Sequence, residues 1–238
     1  MPIINNLKSK NIEEMLKAGV HYGYSRSSRH PNIKDFIFAV RNNIEIFDLE
    51  KVSQKLSEAK EFIKNLGKEK KMIVFVGTKT EAKQSIENIA KELNMPYVSQ
   101  RWIGGLLTNF KSMKKRIEYM EDIEKKKETG ELEKYTKKER MLIEKDFQKL
   151  KKFFNSLRSL NGFPGVMIVI DPCDEIIATK EAKKNSVPVV ALVNSDCNPK
   201  SVDYPVPGND SSSSSIEYFL KEIAEAYKEG MKLSNIES

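Results

Sequence analysis

One stretch constrains this chain more than any other: from Lys111 to Lys152, 25 of 42 residues are charged, 15 of them Lys or Arg and 10 Asp or Glu. A segment so charged cannot bury a core of its own, yet it carries two apolar stripes. Phe110, Met113, Ile117 and Met120 are spaced 3, 4, 3, and Ile143, Phe147, Leu150, Phe154 and Leu157 are spaced 4, 3, 4, 3. That heptad-like repeat puts each set on one narrow helical face, and two such faces can bury only against each other. Between them Gly130 breaks the helix, and Thr136 followed three residues on by Glu139 is a capping-box pattern for a new one. The spacing predicts an antiparallel coiled-coil hairpin over 111–159, projecting from a body formed by the rest. Its surplus, 15 minus 10 or +5, is most of the formal charge of +7.

The flanking segments, 1–110 and 160–238, read as one discontinuous α/β domain. Asn11 with Glu14 is a capping box for a short helix ending at Gly19, and the text GVHYGYSRSSRHPN over 19–32 reads as an exposed loop. Phe36 to Val40 and Ile44 to Phe47 flank Asn42 and Asn43, which tolerate the backbone of a tight hairpin turn. Asp48 caps a helix with apolar positions Leu49, Val52, Leu56, Ala59, Ile63 and Leu66, stopped by Gly67. Next come a β-branched run from Met72 to Val76, Gly77, a Thr78 to Glu81 capping box, and a helix through Ile86, Ile89, Ala90 and Leu93.

After the charged segment the alternation returns. Val166 to Ile170 leads through Asp171-Pro172 into a helix with Ile176, Ile177, Ala178 and Ala182, and Val187 to Val193 is another apolar strand. Strands alternating with helices predict a parallel sheet covered on both faces. The serine run 211–215 reads as a flexible approach to a last helix over about 216–229, capped by Ser214.

A hydrophobic fraction of 39% in 238 residues supports one sizeable core with an appendage. The pI near 9.1 favours a polyanionic partner. The longest apolar runs fall far below the roughly 20 residues that span a bilayer, so no membrane role is expected. The first residues carry neither a secretory nor a transit pattern. Cys173 and Cys197 lack zinc or disulfide spacing and read as ordinary thiols in a reducing compartment.

Chemistry-bearing patterns are few. Gly77-Thr78-Lys79-Thr80 lies where an α/β protein holds phosphate, but it lacks the Gly spacing of a dinucleotide or P-loop site and reads as a plain turn. Asp171 has no partner for catalysis close in sequence and reads as a turn former. His21 and His30 with Asp196 or Asp210 make a poor metal signature, so no metal, cofactor or catalytic residue is expected. Arg26, Arg29, Arg41 and Arg101, interleaved with His21, Tyr22, Tyr24 and Trp102, suit phosphate contact and stacking on RNA. Lys111, Lys114, Lys115 and Arg116 at the start of the hairpin add sequence-independent attraction to phosphate. A nucleotide-dependent enzyme with a regulatory arm is the competing reading.

Eight segments together resemble the bacterial or organellar small-subunit ribosomal protein S-two family: AGVHYG (18–23), FIFAVRNNIEIFDLEK (36–51), FVGTK (75–79), QRWIGGLLTNF (100–110), YTKKE (135–139), GFPGVMIVIDP (162–172), VPVVALVNSDCNP (187–199) and DYPVPGND (203–210). The match runs from about residue 11 to 230. The resemblance implies a flavodoxin-like sheet with a protruding coiled-coil hairpin, seated on the small ribosomal subunit in a bacterial cytoplasm or an organelle matrix or stroma. It implies contact with small-subunit rRNA and neighbouring ribosomal proteins, with ribosomal protein S-one among them if the ribosome is bacterial. Two positions depart from the family pattern: Tyr24 stands where a His usually follows Gly, and the serine run replaces a more charged start to the last helix.

Overall fold

The computed structural model describes residues 11–236. Residues 11–18 are helical (α1), and Asn11 lies inside the helix rather than capping it as expected. The segment read as a loop then contributes a strand, β1 (Tyr22–Ser25), which joins β2 (Ile37–Arg41) and β3 (Ile44–Phe47) in a small antiparallel sheet of order β1-β3-β2. The pairing Tyr22 to Ile46 and Ser25 to Ile44 carries an irregularity that hides the period of two. The hairpin turn is as expected, with Asn42 and Asn43 at φ of 50° and 63°, the left-handed pair that matches strand twist.

Asp48 accepts from the Glu50 N–H and caps α2 (Leu49–Lys68), whose buried face is the expected stripe. Gly67 does not stop this helix. It is a buried helical residue, and the chain turns at Lys70, with φ of 52°. β4 (Ile73–Val76) and α3 (Thr80–Glu92) follow, but the Thr78 to Glu81 capping box does not form: Lys79 is the cap residue, with no side-chain cap bond. The Thr78 N–H is taken instead by the Glu175 carboxylate at 3.0 Å.

The larger sheet is parallel, from β4, β5 (Tyr97–Val98), β6 (Val166–Ile170), β7 (Val189–Val193) and β8 (Tyr204–Pro207), in the order β5-β4-β6-β7-β8. Numbered from its first strand that is 2-1-3-4-5, the flavodoxin-like winding. Every residue of β4, β6 and β7 is buried, so both faces are covered. Each Val, Ile or Phe so placed contributes roughly 1.5–3 kcal/mol of hydrophobic stabilisation. β5 and β8 were not legible as strands; β5 has two residues, and Pro205 and Pro207 suit β8 to an edge.

α7 (Ser213–Ile236) begins earlier than expected, because Ser213 to Ser215 are its first turn rather than a flexible lead. Ser215 is fully buried, and the Ile216 N–H donates to the Ser212 carbonyl. α7 packs along α2 and α3, burying Phe219, Leu220, Ile223 and Tyr227.

Between β5 and β6 stand α4 (Phe110–Glu128) and α5 (Lys137–Phe154). Gly130 takes φ of 76° at the turn, and Thr136 and Glu139 form the full reciprocal capping box. Met113, Ile117, Met120 and Ile123 of α4 are buried, facing Phe147 and Phe154 of α5. Ion pairs run Lys127 to Glu144 and Lys151 to Glu124, so rising numbers on α4 meet falling numbers on α5 and the helices are antiparallel.

Candidate nucleic-acid interface

The arm's charges divide into two groups. The acidic residues Glu124 and Glu144 are used in holding the hairpin, through Lys127, Lys151 and Arg158, the last at 2.7 Å. The Arg158 guanidinium beside Glu124 holds that carboxyl below its ordinary range. Lys127 and Lys151 also lie over the Phe147 ring, at 4.6 and 5.6 Å from its centre. By contrast Lys111, Lys114, Lys115 and Arg116 are all exposed and form no ion pair among the described residues. They occupy the first two turns of α4, so four free cations emerge where the arm leaves the body.

That root is held by a buried carboxylate that was not legible in the sequence. Glu181 of α6 (Ile176–Lys184) is 8% exposed and accepts N–H groups from Gly105 at 2.6 Å, Leu107 at 3.1 Å and Thr108 at 3.3 Å, with Trp102 Nε1 at 3.4 Å. A carboxylate satisfied by backbone donors in this way fixes the loop that starts the arm. Trp102 is accordingly buried, its ring taken up by packing, whereas Arg101 beside it is exposed. Arg101, Arg116 and Lys149 line a cleft of about 540 Å³ between body and arm, with Tyr119 and Phe153 in its wall. Cations over an aromatic wall suit phosphate and nucleobase chemistry.

A second set of residues lies on the small sheet and in the segments either side of β1. Tyr22, Arg26 and Arg41 are exposed, and His21, Tyr24 and Arg29 are half-buried. Arg29 pairs with Glu45 at 3.1 Å, and Glu45 is fully buried in β3. Burial pushes the Glu45 carboxyl up, and Arg29 pulls it back. Burial also lowers the His21 imidazole, so its neutral form is favoured. His30 Nδ1 accepts from the Asn32 N–H, capping a short turn.

Three residues far apart in sequence meet at the end of the parallel sheet. Lys79 Nζ lies 2.5 Å from Asp171 Oδ2 and 2.7 Å from Asp210 Oδ2, and both carboxylates are buried. It also donates to Tyr24 Oη at 3.1 Å, which in turn accepts from the Ser211 hydroxyl. Burial disfavours the ammonium, yet Asp171 and Asp210 outweigh it and raise Lys79 above the ordinary lysine range. Burial likewise opposes the Asp171 carboxylate, but Lys79 holds it below its ordinary value. The Gly77 turn is closed as well: a Cβ there would fall 3.1 Å from Ile170 Cβ. Lys79 is thus neutralised by two carboxylates, and the Thr78 N–H is already bonded to Glu175, so both groups have internal partners at this turn.

The fold and these two surfaces define a class: a flavodoxin-like body whose usual ligand position is filled from within, carrying a basic helical arm. The chain belongs to the ribosomal protein S2 family, whose model matches residues 15–230. It is 43% identical over 227 residues to the small ribosomal subunit protein uS2 of Dictyoglomus thermophilum, covering 95% of this chain and 92% of that one. To the uS2 protein of a Nitratiruptor species it is 42% identical over 222 residues, covering 93% and 83%. To that of Geotalea uraniireducens it is 40% identical over 225 residues, covering 94% and 88%.

Proposed function

We propose that this chain is a structural constituent of the small ribosomal subunit, where it binds small-subunit rRNA and neighbouring ribosomal proteins. The body, 1–110 and 160–238, is the seat, and the arm, 111–159, reaches along the RNA. The observation that carries this reading is the quartet Lys111, Lys114, Lys115 and Arg116, exposed and unpaired at the arm's root beside Arg101. Unpaired cations gain free energy from phosphate by releasing condensed counterions, without base-specific contacts. Tyr22, Arg26 and Arg41, with His21, Tyr24 and Arg29 behind them, form a second contact region; at the arm's root, Trp102 fixes from inside the loop that carries Arg101. The ribosome is the place of work, in a bacterial cytoplasm or an organelle, and ribosomal protein S-one is a further neighbour where the ribosome is bacterial.

The test is a sucrose gradient of cell extract probed for this chain, paired with filter binding of the purified protein to small-subunit rRNA. Co-migration with small subunits and an rRNA affinity that falls steeply with salt are expected. Free migration at the top of the gradient, together with salt-independent binding, overturns the reading.

A further inference from the structure

The two cysteines that have no motif spacing in the sequence come together in the fold. Cys173 follows β6 and Cys197 follows β7, and the parallel pairing of those strands brings their ends side by side. Cys197 Sγ lies 3.2 Å from Asp171 Oδ1, and the ligand atoms of Asp171, Cys173 and Cys197 all fall within 4.8 Å of one another. Asp171 Oδ1 also accepts from the Cys173 N–H at 2.9 Å, and the residue holds a left-handed φ of 60°. Beside both thiols stands Asp196, whose Oδ1 is buried and has no hydrogen-bond partner.

From this arrangement we propose that Asp171, Cys173 and Cys197 hold a thiophilic divalent cation of the zinc class, with Asp196 as the fourth ligand. The donor set decides the metal: two thiolates with carboxylates select zinc-like ions over magnesium or calcium, which take oxygen alone. Tetrahedral coordination with a metal–sulfur bond of about 2.3 Å brings neighbouring donors to within roughly 3.5–3.8 Å of each other. Cys173 is exposed, so a rotation of its side chain closes the remaining distance and also gives the ion a way in. On binding, the ion replaces the two thiol protons, which leave to solvent, and Asp171 Oδ2 keeps its pairing with Lys79 while Oδ1 turns to the metal.

The experiment uses the free full-length chain, reduced, desalted, and titrated with Cd²⁺ and Co²⁺ as spectroscopic probes, then with Zn²⁺ in competition. A sulfur-to-metal charge-transfer band saturating at one equivalent is expected, with Zn²⁺ displacing the probe and Mg²⁺ failing to. Cys173→Ser, at an exposed position, keeps the wild-type circular dichroism and loses the band; Asp196→Asn keeps the band and binds at least about tenfold more weakly. The site is refuted if no such band forms, if the band survives Cys173→Ser, or if Mg²⁺ competes as well as Zn²⁺. Binding of Cys173→Ser to rRNA is expected to be unchanged, so failure here is distinct from failure of the ribosomal reading.

Discussion

Gly67 of α2 and Gly230 of α7 meet where the two helices cross, so closely that a Cβ on Gly230 would fall 3.0 Å from Gly67 Cα and nearer still to the Lys64 carbonyl oxygen. The obstacle is backbone on both sides, and no side-chain rotation relieves it. Replacing a helical Gly by Ala ordinarily gains about 1 kcal/mol of propensity, and overpacking of this kind costs about 1–3 kcal/mol or more. Gly230→Ala is therefore expected to destabilise by about 2 kcal/mol net, a fall in Tm of roughly 4–8 °C. Gly104→Ala, where a Cβ meets nothing within 4 Å, is the comparison and leaves Tm within a degree or two of wild type. Equal Tm values for the two variants contradict the close crossing.

Glu181→Gln tests what holds the arm's root. The carboxylate receives four N–H groups on its two oxygens, and the amide keeps one oxygen while turning an NH₂ toward donors. Two buried N–H groups lose their acceptor, a cost of about 2–3 kcal/mol confined to one loop. Hydrogen exchange is the measurement: amides 105–108 should exchange faster while those of β6 and β7 keep their protection. Unchanged exchange at 105–108 means the loop is anchored by something else.

The difference between what was and was not legible in the sequence lies in range. Periodic elements announced themselves, because the stripe of α2 and the two stripes of the arm are written within a few turns of chain. The hairpin turn at Asn42 and Asn43 is likewise local chemistry. Gly67 was misread as a helix stop because its reason for being glycine is Gly230, 163 positions away. The strand at Tyr22 to Ser25 went unseen since its pairing with β3 is irregular, and the serine run looked flexible although α7 already includes Ser213 to Ser215.

The site followed the same rule. Exposed cations could be named from sequence, and the quartet at 111–116 stands in the open. Trp102 could not be sorted from the surface aromatics because its partner, Glu181, lies 79 positions on. Lys79, Asp171 and Asp210 each looked unremarkable alone, and only the parallel sheet places them together. No local spacing carries that information.

Lys79→Met separates the ion cluster from its bland surroundings by the sign of a pH effect. In the wild type the Asp171 carboxyl is held below 3.8, so the stability it contributes is present above that pH and is lost as pH falls through the lower folded value. Lys79 is raised above 10.5, so its share is present below that pH and is lost as pH rises past it. Without the ammonium, burial is unopposed and the folded carboxyl rises above 3.8, which favours the protonated form. The variant should be about 3–5 kcal/mol less stable than wild type near neutral pH, with the deficit shrinking as pH falls through the carboxylate range. Urea unfolding of both proteins at several pH values checks it. A deficit that stays constant with pH sinks the ion-pair account and leaves only lost packing.

The last prediction concerns the charges that the arm does not use on itself. Lys111, Lys114, Lys115 and Arg116 are exposed and unpaired, so replacing all four by Ala removes no internal contact, and alanine is a good helix former. Stability should change by less than about 1 kcal/mol, while rRNA affinity falls and, more tellingly, depends less on salt. Each phosphate neutralised contributes about 0.7–0.9 to the slope of log affinity against log salt, so losing four contacts lowers the slope by about 3. Lys127→Gln is the matched control: its charge is balanced by Glu144 across the hairpin, so it loosens the arm by under about 1 kcal/mol and leaves the slope nearly unchanged. If the quadruple variant keeps the wild-type slope, the arm's root does not touch phosphate, whatever its net charge, and the RNA contact must be sought around Arg41 on the small sheet and Arg26 in the turn after β1.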